Sequence, residues 1–156
     1  MTQHYIQEAQ RLGKAIDIAI DSFLKYTPKD FEQKHTDHMV KVYQSLKEGL
    51  FNGDARWQNL TSLKYLVNDV FIYFQESSGA GVDYFWRQIA DQKLGYKREN
   101  KVAKILKRNR IKDDIEYEFI TDVMVPYEQE NIITAEEAKI LNELLVKFES
   151  KAAKDR

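Results

Sequence analysis

The chain has no cysteine, which removes disulfides, thiolate zinc sites, iron–sulfur clusters and a cysteine nucleophile from its chemistry. Proline occurs twice and glycine six times in 156 residues. So few breakers, falling between periodic segments, are the punctuation of an all-helical chain. No uninterrupted apolar run approaches the ~18 to 20 residues that span a bilayer. The first twenty residues lack the basic-then-apolar layout of a signal peptide and are interrupted by Glu8, Arg11, Lys14 and Asp17. The expectation is a cytoplasmic protein with no membrane partner. An excess of charge is missing as well: 24 basic residues stand against 25 acidic ones, a net charge of -1. The totals therefore give no reason to expect a polyanionic partner, and any such reason must come from local clustering.

What is present is globular composition, 43% apolar and 31% charged. At this length folding buries roughly 70% of the unfolded chain's surface, enough for one real core. The expectation is a single all-α domain, 1–156, built as a bundle of about seven helices. Three long antiparallel helices come first and four shorter ones follow, with a hinge at 77–81 and a frayed tail at 151–156.

The stretch from Leu60 to Phe74 is taken as the element the rest packs around. Leu60, Leu63, Val67, Val70 and Phe74 step by three and four along one helix face, and Leu66, Phe71, Ile72 and Tyr73 widen the apolar arc well past one stripe. Thr61, Lys64, Asn68 and Gln75 leave a narrow polar strip. This central helix is expected from about Ala55 to Glu76.

Before it, Tyr5, Ala9, Leu12, Ile16, Ala19, Phe23 and Tyr26 form a seam over three heptads, giving a helix from about Gln3 to Tyr26. Thr27-Pro28-Lys29-Asp30 then supplies a cap, a proline at the first helical position and an acid in the first turn. A second helix to about Phe51 would bury Phe31, Met39, Val42, Leu46 and Leu50. After the hinge, a fourth helix turns Val82, Phe85, Trp86, Ile89 and Ala90 inward and closes at Gly95. A fifth runs from about Arg98 to Asn109. At 114–125 the pattern fits both periods: Ile111, Ile115, Phe119, Val123 and Tyr127 step by four, while Ile115, Tyr117 and Phe119 alternate with Glu116 and Glu118. Asp113, Asp114 and Glu116 sit where a helix N-terminus favours acids, so a helix is expected, kinked or ended by Pro126. The last helix starts at the capping box Thr134-Ala-Glu-Glu137, with Ala138, Leu141, Leu144, Leu145 and Phe148 on one face.

Charge is blocked rather than mixed toward the C-terminus. Between Lys93 and Lys112 there are nine positive residues against Glu99 alone, and from Asp113 to Glu149 eleven acids against Lys139 and Lys147. Clustered cations release counterions when they meet nucleic acid, so Lys97, Arg98, Lys101, Lys104, Lys107 and Arg108 are candidate nucleic-acid contacts. The bland alternative is a solvated face, or pairing with the acidic block that follows, and pairing is the expectation. Ile89-Ala90, Leu94-Gly95-Tyr96, Val102 and Ile105 approximate the apolar skeleton of a helix-turn-helix, with two intervals one residue too long.

For a metal, Glu32 and His35 have the Glu-x-x-His spacing of carboxylate-bridged di-iron bundles, and His38 lies three further on. A second such pair is missing, since His4 is the only other histidine. A mononuclear set of His35, His38 and Asp17 or Asp21 would be sparse, so no metal or cofactor is expected. Ser77-Ser78-Gly79-Ala80-Gly81 lacks the lysine and third glycine of a phosphate-binding loop. No local motif supplies catalytic residues. The leading expectation is a non-enzymatic helical interaction module with a protein partner or self-association, using a groove or face between the N-terminal bundle and the charged C-terminal helices. Nucleic-acid binding through the basic helix comes second, and a small metal-binding bundle enzyme third.

Overall fold

A computed structural model describes residues 2–154. Among them form seven α-helices, one 3-10 turn and no strand. The helices are α1 (Gln3–Lys25), α2 (Gln33–Asn52), α3 (Leu60–Glu76), α4 (Ala80–Asp91), α5 (Lys101–Arg108), α6 (Asp114–Gln129) and α7 (Ala135–Lys154). This is the expected all-α bundle. Its lengths differ from expectation at the C-terminus, where α7 with 20 residues equals α2. The expected frayed tail is helical through Lys154, and residues 155–156 lie outside the described part. Among the described residues no helix is long and apolar enough to cross a membrane. Contacts divide the chain into two compact units, Met1–Arg98 and Glu99–Arg156. The division falls at 98/99, and the 77–81 segment lies within the first unit.

In the first unit α1 takes the central place that the sequence pattern gave to α3. It touches α2, α3 and α4 and buries ten residues, from Tyr5 to Phe23, on more than one face. Thr2 caps it by accepting from the Tyr5 N–H. α3 buries only Leu63, Val70, Phe71 and Phe74, and Leu60, Tyr65 and Ile72 remain exposed. The difference has a steric cause: α1 interleaves Ala9, Ala15 and Ala19 with its large residues, so several neighbours can approach it at once.

The helices run up, down, up, down. The Tyr5 hydroxyl donates to the Leu50 carbonyl while Phe23 stacks near Phe31, so α2 runs antiparallel to α1. Phe23 also meets Tyr73 and Phe74 at the far end of α3. α4 starts at that end, where the Ser22 hydroxyl donates to the Gly81 carbonyl at 2.7 Å, and returns along α1 until the Leu94 carbonyl accepts from Arg11. Phe74 and Phe85 stack at 3.8 Å where α3 and α4 cross.

Two boundaries moved. The expected start of α2 at Thr27-Pro28 is instead a turn closed by Phe31 N–H to Pro28 C=O, and Glu32 is the cap. Residues Ala55–Trp57 form a 3-10 turn capped by Asp54, so α3 begins at Leu60 with Asn59 as its cap. In both places two capping residues compete within a few positions, and the one nearer the packed segment wins.

The second unit is a small helical cluster. α6 packs on α7, and α5 touches α7. Its core is Val102, Ile105, Ile111, Ile120, Val123, Tyr127, Ile133, Ala138, Leu141, Leu144 and Leu145. The helical choice at 114–125 holds, with Asp113 capping the Glu116 N–H. The buried face of α6 is Ile120, Val123 and Tyr127, whereas Ile115 is 77% exposed. Pro126 sits inside the last turn without ending the helix, which runs to Gln129. The Thr134–Glu137 capping box forms reciprocally, with bonds of 3.0 and 2.9 Å.

Candidate functional site

The basic segment divides at the unit boundary. Lys97 and Arg98 precede α5 within the first unit, and the Arg98 guanidinium donates to the Ser77 carbonyl at 2.7 Å. On α5, which begins at Lys101 rather than Arg98, Lys101, Lys104 and Arg108 share one face by their three-and-four spacing. Val102 and Ile105 point into the core. Arg108 grips Glu116 with both terminal nitrogens, at 2.6 and 3.2 Å. Burial pushes the Glu116 carboxyl up, but hydrogen bonds from Arg108 and the Lys112 N–H outweigh it and leave the group below the usual range. Lys104 approaches Glu99 at 3.8 Å, and the Lys101 ammonium lies 5.4 Å from the centre of the Phe119 ring. Among the described residues the side chains of Lys97 and Lys107 make no ion pair. Pairing with the acidic block is thus concentrated on Glu116, and all six candidate cations are exposed.

The helix-turn-helix skeleton does not form, because nine residues, 92–100, separate α4 from α5 where that motif needs a turn of three or four. Glu32, His35 and His38 are exposed near the start of α2. The Glu32 N–H donates to His35 Nδ1 at 3.0 Å, so this spacing serves a helix cap. Asp17 is bound by Lys47 at 2.8 Å, and Asp21 accepts from the Tyr84 hydroxyl and pairs with Lys25 at 3.2 Å. Among the described residues no three histidine or acidic side chains group closely enough to hold a metal ion.

What the sequence did not reveal is a groove of about 490 Å³ in the second unit. One wall is the loop that joins α5 to α6, and the other is the C-terminal half of α7. Asn109 turns this loop with φ of 59°, the left-handed cap that ends α5. Ile111 and Leu144 are buried at its base beside half-buried Phe148, whose ring stacks on Tyr117. Arg110, Lys112, Lys147 and Lys151 line the groove with Asp113 and Asp114. The available signal was the i, i+4 pair Lys147 and Lys151 flanking Phe148, hidden because Lys147 falls in a stretch dominated by acids.

A second depression, about 460 Å³, lies in the first unit between α1 and α4. Its two acids are already engaged, Asp17 by Lys47, and Asp21 by Tyr84 and Lys25. Nearby, Arg11 donates to the Leu94 carbonyl at 2.9 Å, pairs with Glu8 at 2.6 Å and covers the Tyr96 ring at 4.4 Å. That arrangement fastens the end of the first unit to α1, and burial raises the Tyr96 phenol's pKa.

Exposed apolar residues are uneven. Of the eight large ones in the first unit, five fall within 51–72: Phe51, Trp57, Leu60, Tyr65 and Ile72. Tyr65 and Ile72, seven apart, share the outward face of α3. In comparisons with known proteins the chain matches no family model, no curated protein and no solved structure.

Proposed function

We propose that this chain is a non-enzymatic helical interaction module of the cytoplasm, engaging a protein partner through the outward side of α3 and the turn before it. The observation that carries this reading is the exposure of Trp57 and Tyr65, at 63% and 72%, in the segment that holds most of the first unit's exposed apolar residues. Tryptophan and tyrosine dominate the energetics of protein interfaces, because they bury large rigid area at little entropic cost. Neither ring is needed by the core. Replacing both Trp57 and Tyr65 by serine is expected to leave the melting temperature unchanged. The same change should abolish crosslinking to the partner that wild-type protein retains from a cytosolic extract. Equal crosslinking by both proteins would reject this face.

A second reading, nucleic-acid binding through the basic segment, is supported by the exposure of Lys97, Arg98, Lys101, Lys104, Lys107 and Arg108. With Arg108 already holding Glu116, phosphate contacts from the other five would give a log–log salt slope of roughly -4 to -5. Duplex binding at physiological salt that disappears in Lys104→Glu, Lys107→Glu, with the melting temperature kept, would place this reading first.

A further inference from the structure

We propose that the groove between the 109–114 loop and the C-terminal half of α7 docks a short acidic segment of another protein, one carrying a bulky apolar side chain among its acids. This deepens the reading of the chain as an interaction module and rests on it.

The chemistry of the lining selects that occupant. At about 490 Å³ the groove is of the size of pockets that take a small ligand or a side chain. Its base is apolar, formed by Ile111, Leu144 and Phe148, and would cover an apolar side chain. Around that base stand Arg110, Lys112, Lys147 and Lys151, and among the described residues none of the four makes an ion pair. The acids nearest to them are committed or outnumbered. Glu116 is gripped by Arg108, and Asp113 caps α6 through the Glu116 N–H, so the two lining acids Asp113 and Asp114 stand against four cations, a surplus of two positive charges.

A polyphosphate fits less well. The apolar base offers phosphates no hydrogen-bond donor, and Phe148 already has a ring partner in Tyr117. Carboxylates spaced around an apolar anchor match both parts of the lining. Arg110 is suited to bidentate contact, while the three lysines act as mobile point charges.

Full-length protein titrated into fluorescein-labelled peptides EELFEE, EESGEE and KKLFKK tests this by anisotropy. EELFEE is expected to bind at least tenfold more tightly than EESGEE, and KKLFKK not at all. Lys147→Glu, Lys151→Glu should weaken EELFEE at least tenfold with an unchanged melting temperature. The milder Lys147→Gln, Lys151→Gln pair should weaken it less, and arginine at both positions should restore it. Equal binding of EELFEE and EESGEE would overturn the proposal in favour of an unspecific charged surface. So would peptide binding indifferent to both charge-removing pairs, or an RNA oligomer that outcompetes EELFEE with the same dependence on Lys147 and Lys151. Loss of peptide binding alone, with crosslinking through Trp57 and Tyr65 intact, rejects the groove and leaves the module reading standing. Loss of crosslinking with peptide binding intact rejects the α3 face and not the groove.

Discussion

The Tyr43 hydroxyl donates to the Val70 carbonyl at 2.8 Å, inside the core where α2 meets α3. Val70 is fully buried and Tyr43 nearly so, which makes this bond a tie between two helices that share few other contacts. The Tyr43 ring meanwhile packs on Phe23 and Phe74, joining α2 to the aromatic centre of the unit.

Removing the hydroxyl separates these roles. Tyr43→Phe is expected to cost about 1 kcal/mol, the net worth of one hydrogen bond, whereas Tyr43→Ala should cost roughly 3 to 5 kcal/mol by opening a cavity. The phenol also carries a pH signature. Burial raises its folded pKa well above 10.0, so the unfolded chain ionises first as pH climbs past that value. The unfolded state then binds fewer protons than the folded one, and stability falls with rising pH. Thermal melts at about pH 9 and pH 11 should show a smaller loss in Tyr43→Phe than in wild type. Equal losses would show that other buried tyrosines carry the alkaline transition.

The contrast between α1 and α3 is a second measurable point. Ile16 is fully buried and Ile72 is 46% exposed, although both lie in apolar runs of similar appearance. Ile16→Ala should cost roughly 2 to 5 kcal/mol and Ile72→Ala within about 0.5 kcal/mol. Chemical denaturation of the two variants checks this. Comparable midpoints would mean that α3, not α1, is the centre of the unit.

That contrast also marks how far the sequence could be read. Elements set by local chemistry were legible: the acids Asp113, Asp114 and Glu116 at the start of α6, the Thr134–Glu137 box starting α7, and the seam of α1. Each depends on residues within a turn or two of one another. Which apolar face is buried depends on neighbours brought from elsewhere, so the wide arc of α3 was mistaken for centrality while small residues on α1 were undervalued. Tyr43 and Thr36 were missed for the same reason, since the burial of each is decided by the packing of other helices. The groove was illegible because Arg110 and Lys112 meet Lys147 and Lys151 only through folding. The exposure of the basic residues needed the structure too, as their pattern suits either solvent or pairing.

Arg108 and Glu116 give a prediction about acid. The Glu116 side chain is only 16% exposed, and its carboxyl is held below the ordinary 4.5 in the folded state. A lowered carboxylate pKa contributes stability above the unfolded value, and that contribution is lost as pH falls through the folded value. Glu116→Gln should therefore melt below wild type at about pH 7 and pH 5, with the gap closing under about pH 4. A gap that persists in acid would assign the loss to packing rather than charge.

The division at 98/99 predicts how the chain comes apart. Residues 1–98 hold α1 to α4 with their own core, and the Arg11 contacts to Leu94 and Tyr96 finish the unit before the boundary. The second unit has 58 residues and a single small core. A domain of that size buries only about 60% of its unfolded surface and is marginal alone. A fragment of residues 1–98 is expected to melt cooperatively with helical circular dichroism close to its share of the full chain. A fragment of 99–156 should show a lower and broader transition. A 1–98 fragment that is unfolded or melts without cooperativity would show that the chain folds as one domain, because the core of the first unit would then depend on residues beyond its own boundary.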